Sequence, residues 1–286
     1  MKNIVWLVSY PKSGNTWFRM FLANYKKNGS EPLTLDEIDS NSIASSADDF
    51  EDLIGLNPFE LTADEVEFYR PDLYRILSTQ LEQKGEIEYK KTHDAYTYNS
   101  DGEPLFPAEI TLKAIYFVRN PLDVCVSYAN HSARDVQKTL NLIINEKAKI
   151  GSGKDKQLNQ KLLSWPGHVQ SWEQQQAIPM LFVRYEDMLQ NPMETFGSMI
   201  RFLDLDYDEE RLQKAIAFSD FKLLSQMEKK DGFKEKLQKS ESFFWKGKTG
   251  TYREYLTEEY IDKIVVYCGE TMKQFDYLDP DGKLKV

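Results

Sequence analysis

Cysteine is almost missing from this chain: two residues in 286, Cys125 and Cys268, far apart in sequence and in unlike surroundings. A reducing, cytosolic setting fits such a pair better than a disulfide framework does. Histidine is nearly as scarce. The three histidines stand apart and no cysteines pair with them, so a zinc site has no support and no metal is expected. Long apolar runs are also missing, and no stretch nears the roughly 20 residues that cross a bilayer. The opening apolar run, residues 4–8, is too short for a signal-peptide core. A soluble, cytoplasmic protein without a membrane partner is therefore expected. Basic charge is in deficit, with 36 Lys and Arg against 46 Asp and Glu and a net charge of −10. Nucleic-acid binders carry a basic footprint, so no nucleic-acid partner is expected. Neither internal repeats nor low-complexity tracts occur.

What is present is enough for a substantial core: 41% hydrophobic and 13% aromatic residues. The length fits one large α/β domain, residues 1–286, better than two small ones. The pattern is organised around residues 4–25, IVWLVSYPKSGNTWFRMFLANY. A short apolar run reads as a strand buried on both faces. A turn punctuated by Pro11 and Gly14 follows, and then Trp17, Met20, Phe21 and Asn24 recur at helical spacing. Strand, glycine loop and helix N-terminus is an arrangement that holds phosphate, through backbone N–H groups, the helix dipole and a lysine. The order is not that of the nucleotide-triphosphatase loop, because Lys12 precedes the glycine by two residues.

Further along, residues 26–49 read as polar loop, Thr62 as a helix N-cap before an acidic first turn, and residues 71–85 as a separate short helix. Residues 87–92 form a second strand with His93 directly at its end, where parallel sheets present functional groups. Lys91 is two residues before it, either on the site or as a solvated strand lysine. Residues 112–118 form a buried strand broken at Arg119-Asn120-Pro121, and a helix begins there. His131 closes that run as a cap or a pocket residue. Residues 135–150 carry a helical stripe, and Gly151-Ser152-Gly153-Lys154-Asp155 is either a hinge or an ordinary polar loop. Another helix carries Trp165, Val169 and Trp172, and residues 178–183 form a further strand leading to Tyr185.

The segment YPKSGNTW resembles the sulfotransferases that use 3′-phosphoadenosine 5′-phosphosulfate (PAPS). The resemblance continues in family order through KKTHDAY, RNPLDVCVS, RYEDM, FSDF and the stretch from Phe243 to Arg253. It implies an α/β fold with a central, mostly parallel sheet flanked by helices, the sulfotransferase variant of the P-loop nucleotide-triphosphatase fold. It implies a soluble enzyme moving a sulfonyl group from PAPS to the hydroxyl of a small molecule, leaving PAP. His93 is implied as general base, and an imidazole suits that task near neutral pH. Lys12 is implied at the leaving phosphate, and Lys91 at the sulfonyl charge. Pro11, Lys12, Ser13, Gly14, Asn15 and Thr16 would cradle the 5′-phosphosulfate. Arg119, Ser127, Lys246, Gly247 and Lys248 would hold the 3′-phosphate, and Trp17, Tyr185, Ser219 and Phe221 the adenine. Trp245 stands where the family has Arg, and Tyr252 where Trp is common. Arg253, Thr257, Glu258 and Asp262 follow the family's dimer motif only loosely, which leaves monomer and homodimer both open. The absence of an apolar anchor points to the soluble branch. Residues 50–98 and 131–172 are expected to line the acceptor pocket. The rivals are a P-loop kinase or triphosphatase, with Glu186 and Asp187 after a strand, and a non-catalytic PAP-binding module, raised by Trp245.

Overall fold

The computed structural model describes residues 2–37, 43–151, 157–237 and 239–285. Along the chain, β1 (Ile4–Ser9) is buried throughout and leads through the glycine turn into α1 (Asn15–Lys27). Next come α2 (Ala47–Ile54), α3 (Ala63–Lys84) and β2 (Glu88–Thr92). They are followed by β3 (Thr111–Val118), α4 (Pro121–Ser132), α5 (Val136–Ile143) and the short strands β4 (Lys149–Ile150) and β5 (Gln160–Lys161). The rest is α6 (Trp165–Gln174), β6 (Met180–Arg184), α7 (Tyr185–Gln190), α8 (Pro192–Phe202), α9 (Glu209–Phe218), α10 (Phe221–Asp231) and α11 (Glu258–Gln274). The main sheet has the order β2-β1-β3-β6, and β1 pairs with β2 in parallel, Ile4 opposite Glu88 and Val8 opposite Thr92.

Two compact units make up the chain. The first comprises residues 1–10, 41–116 and 145–182, and holds the sheet except for the last residues of β3 and β6. Its core is aromatic. Trp6 meets Tyr74 at 5.0 Å and Phe106 at 4.9 Å edge-on, and Phe106 meets Trp172 at 4.8 Å. Truncating a ring here would cost about 3–5 kcal/mol. The second unit comprises residues 11–40, 117–144 and 183–286. Here Phe18 packs on Phe117 at 5.2 Å and Phe21 on Phe196 at 4.3 Å, and Ile264, Cys268 and Met272 bury one face of α11. Both cysteines are buried thiols without a disulfide.

Two expectations are corrected. The stretch read as loop already contains a short 3-10 turn at Leu35–Glu37 and the start of α2, whose first turn is capped by the Ser46 side chain. Pro71 does not separate two helices; it lies inside α3, which runs unbroken from its Thr62–Glu65 capping box to Gly85. A proline there removes one N–H and crowds the preceding turn. The helix survives because Arg70 and Tyr74, on either side of it, are bonded to each other at 2.8 Å. Both are also anchored outside the helix, Arg70 to Asp94 and Tyr74 to the Ala44 carbonyl. Of the stretch 151–155, read as a hinge or an ordinary polar loop, residues 152–155 lie outside the described residues. No helix among the described residues is long and apolar enough to cross a membrane.

Candidate active site

In the first unit, the parallel register ends with Val8 opposite Thr92, so Ser9 and His93 follow side by side. His93 Nδ1 is 2.7 Å from the Ser9 carbonyl and 3.2 Å from its hydroxyl. A carbonyl only accepts, so Nδ1 carries the hydrogen and Nε2 is the basic nitrogen. The residue after it is fixed more firmly still. Asp94 is fully buried and takes a bidentate pair from Arg70, at 3.0 and 2.7 Å. Its carboxylate also accepts from the Lys161 amide at 3.1 Å, and its carbonyl accepts from Trp172 Nε1 at 2.9 Å. Such a pair owes its place to full hydrogen bonding rather than to charge attraction alone. His168, fully buried in α6, is 3.1 Å through Nε2 from the His93 carbonyl and 2.7 Å through Nδ1 from the Tyr116 hydroxyl. Burial pushes its pKa down to about 4 and pushes the Tyr116 phenol well up. Lys91 lies half-buried in β2, opposite Leu7.

In the second unit, the turn after β1 has two left-handed residues, Lys12 at φ 69° and Gly14 at φ 102°. Gly14 is needed twice over. It is the N-cap of α1, and a Cβ on it would fall 2.9 Å from the Tyr185 ring. No side chain caps α1 and no acidic residue occupies its first turn, which leaves the positive end of its dipole to another anion. Ser13 is buried with its hydroxyl unpartnered, and so is the Nε of Arg119. The Arg119 guanidinium donates to the carbonyls of Lys12 at 3.0 Å and Lys248 at 3.2 Å, and lies 4.2 Å over the Tyr185 ring. It thereby ties together the two loops read as phosphate-binding.

Three acidic side chains shape this cluster. Glu235 accepts from Thr16 Oγ1 at 3.1 Å and from Arg19 at 2.5 Å. Asp123 accepts from the amides of Gly250 at 2.8 Å and Tyr252 at 3.0 Å, fixing the last glycine loop. Glu254 takes Lys248 at 2.6 Å and Lys246 at 3.5 Å. Lys12 Nζ approaches the Phe243 carbonyl at 3.4 Å and sits 3.8 Å from its ring centroid. His131 meets the same ring edge-on at 5.5 Å.

The expected adenine residues divide. Trp17 and Phe221 pack against one apolar cluster, Met20, Leu35, Leu224, Phe233 and Phe244, and Trp17 meets Tyr185 edge-on at 5.8 Å. Phe221 also covers Gly247, where a Cβ would fall 2.3 Å from the ring. Ser219 is fully buried and its hydroxyl closes α9 onto the Ala215 carbonyl at 2.9 Å. Ser127 is half-buried on α4, and Asn15 and Thr16 are buried at the start of α1. Trp245 packs on Tyr255 at 5.2 Å. All the expected nucleotide-binding residues thus belong to the second unit, while His93 and Lys91 belong to the first. Sequence reasoning missed Glu235, Asp123, Glu254, Arg70, Asp94 and His168. Most of their partners are distant in sequence, Glu254 with Lys246 and Lys248 being the exception, and the Asp94–His93 adjacency was a further signal.

The family model for the sulfotransferase domain matches residues 2–276. The chain belongs to the sulfotransferase family of enzymes. Flavonol 3-sulfotransferase of Flaveria bidentis is 26% identical to this sulfotransferase over 92% of the chain and 79% of that protein. Mouse sulfotransferase 1B1 is 30% identical, but over 40% of the chain and 37% of its own length. Among solved structures, mouse sulfotransferase SULT7A1 complexed with PAP superposes with TM-score 0.60 at 21% identity, over 96% of this chain and 86% of that one. Retinol dehydratase in complex with androsterone and PAP gives 0.58 at 19%, over 97% and 83%. The sulfotransferase therefore has the expected fold, a central parallel sheet flanked by helices.

Proposed function

We propose that this sulfotransferase moves the sulfonyl group of PAPS to the hydroxyl of a small-molecule acceptor. The observation that carries it is the pairing of His93 Nδ1 with the Ser9 carbonyl at 2.7 Å, which leaves Nε2 as a base at the carboxyl end of two parallel strands. The donor set of the second unit fits the nucleotide. An uncapped helix start, a buried unpartnered Ser13 hydroxyl, Lys12 and a buried Arg119 with an unpartnered Nε suit phosphate oxygens. That two solved structures of this fold hold PAP supports a nucleotide of that class.

PAPS, when bound, supplies an activated sulfonyl group on a phosphate leaving group. His93 Nε2 takes the proton of the acceptor hydroxyl. Lys12 Nζ meets the charge that grows on the phosphate side, and Lys91 steadies the sulfonyl oxygens. Amides and hydroxyls of Ser13, Gly14, Asn15 and Thr16, shaped by Pro11, hold the 5′-phosphate. Arg119, Ser127, Lys246, Gly247 and Lys248 hold the 3′-phosphate, with Trp17, Tyr185, Ser219 and Phe221 at the adenine. A single domain is the simplest organisation, because the family model runs unbroken through the segments of both units. Glu186 counts against a kinase: its carboxylate already accepts from the Asn120 amide at 3.1 Å and from Tyr277 at 2.9 Å.

The test is transfer from radiolabelled PAPS to a panel of phenols and alcohols, with PAP binding followed by calorimetry. The His93→Ala variant should lose about 10²–10⁴-fold in turnover, the usual contribution of a general base, while binding PAP as the parent does. Undiminished turnover in that variant would remove His93 from the chemistry.

A further inference from the structure

Helix α6 grips two successive peptide groups, His93–Asp94 and Asp94–Ala95. His168 and Trp172, one helical turn apart and therefore on one face, meet two successive carbonyls: His93 through His168 Nε2 at 3.1 Å, and Asp94 through Trp172 Nε1 at 2.9 Å. Because the His93 carbonyl can only accept, His168 carries its hydrogen on Nε2. Its Nδ1 is then an acceptor, and the Tyr116 hydroxyl donates to it at 2.7 Å. The bonds all run one way: Tyr116 to His168, His168 to the His93 carbonyl, and His93 Nδ1 to the Ser9 carbonyl. The tautomer of each imidazole is fixed by its partners.

We propose that His168 is a positioning residue: by holding the His93 carbonyl it keeps the His93 ring on Ser9, with Nε2 as the basic nitrogen. The inference rests on the reading of His93 as base. A buried histidine that only filled the core would have no need of a donor aimed at this carbonyl. Its rings pack edge-on to Tyr10 at 5.6 Å and Tyr116 at 5.5 Å, so the imidazole cannot turn over without disturbing both. Losing the bond would take this donor from the part-buried His93 carbonyl and loosen the peptide that carries the ring.

The experiment is imidazole nitrogen NMR on the ¹⁵N-labelled full chain near pH 7.5, beside steady-state transfer from PAPS. In the parent protein, His168 is expected as the Nε2–H tautomer and His93 as the Nδ1–H tautomer. His168→Leu should turn His93 into a mixture of tautomers and lower kcat about 10- to 100-fold, by analogy with loss of an outer partner of a metal-bound imidazole, with PAP affinity unchanged. His168→Gln, whose amide can donate to the same carbonyl, should restore both. Should the leucine variant not fold, the parent spectrum and the glutamine variant still decide. An Nδ1–H tautomer for His168 in the parent, or an unchanged His93 spectrum and kcat in His168→Leu, would overturn the inference. Full turnover in His93→Ala would refute the base assignment alone, and the tautomer comparison would still judge the positioning role.

Discussion

The Glu235 carboxylate accepts a hydrogen bond from the Thr16 hydroxyl at 3.1 Å, at the start of the helix expected to receive phosphate. It is held there by Arg19 at 2.5 Å, and Phe243, from the same stretch of chain, covers Lys12. A carboxylate beside a phosphate is a like-charge contact, so nucleotide binding must either move Glu235 or tolerate its repulsion. Glu235→Gln keeps the shape and removes the charge. PAP should bind it tighter by about 1 kcal/mol, roughly fivefold, in calorimetry. Weaker binding would show Glu235 to be part of the grip rather than a competitor.

Gly247 and Gly102 give a paired test of how tightly the last loop is built. Both have positive φ, 61° and 78°, but a Cβ at Gly247 would fall 2.3 Å from the Phe221 ring, while Gly102 has nothing within 4 Å. Gly102→Ala should cost about 1–2 kcal/mol of stability, from backbone strain alone. Gly247→Ala should add about 1–3 kcal/mol for the displaced ring. It should also weaken PAP binding, because Lys246 and Lys248 flank it. Urea denaturation of the two variants against the parent measures the difference.

Stability should fall on the acid side through His168. Burial takes its pKa from 6.5 to about 4, against the upward pull of the His93 carbonyl and the Asp94 charge. The unfolded chain therefore takes up this proton first as pH drops. The contribution is full above about pH 6.5 and is lost progressively towards pH 4. Between pH 7 and pH 5 it amounts to about 2 kcal/mol of unfolding free energy. In urea titrations at the two values, His168→Gln should lack that part of the loss.

Much of the architecture was legible in the sequence, because buried strands are continuous apolar runs and helix starts carry their caps. β1, β3 and the Thr62 cap are cases in point. Pro71 misled because a proline reads as a helix break, whereas here Arg70 and Tyr74 bond across it and Arg70 is anchored to Asp94, 24 residues on. The phosphate loop was legible because its chemistry is contiguous: Lys12, Ser13, Gly14 and Thr16 are neighbours. The acidic partners were not. Glu235 and Thr16 are 219 residues apart, and no periodicity connects them. His168 was hidden for the opposite reason, since a lone histidine among the aromatics of α6 looks like core.

Titration of the full chain with PAP, in the presence of a chelator, beside a titration with ATP and magnesium, is the most direct test of whether the loop after β1 serves the sulfonyl donor. PAP should bind without metal at least about tenfold tighter than the ATP complex, a difference of about 1.4 kcal/mol, and Arg119→Ala should abolish most of that binding. Equal or tighter binding of ATP with magnesium, or no heat with PAP at all, would contradict it.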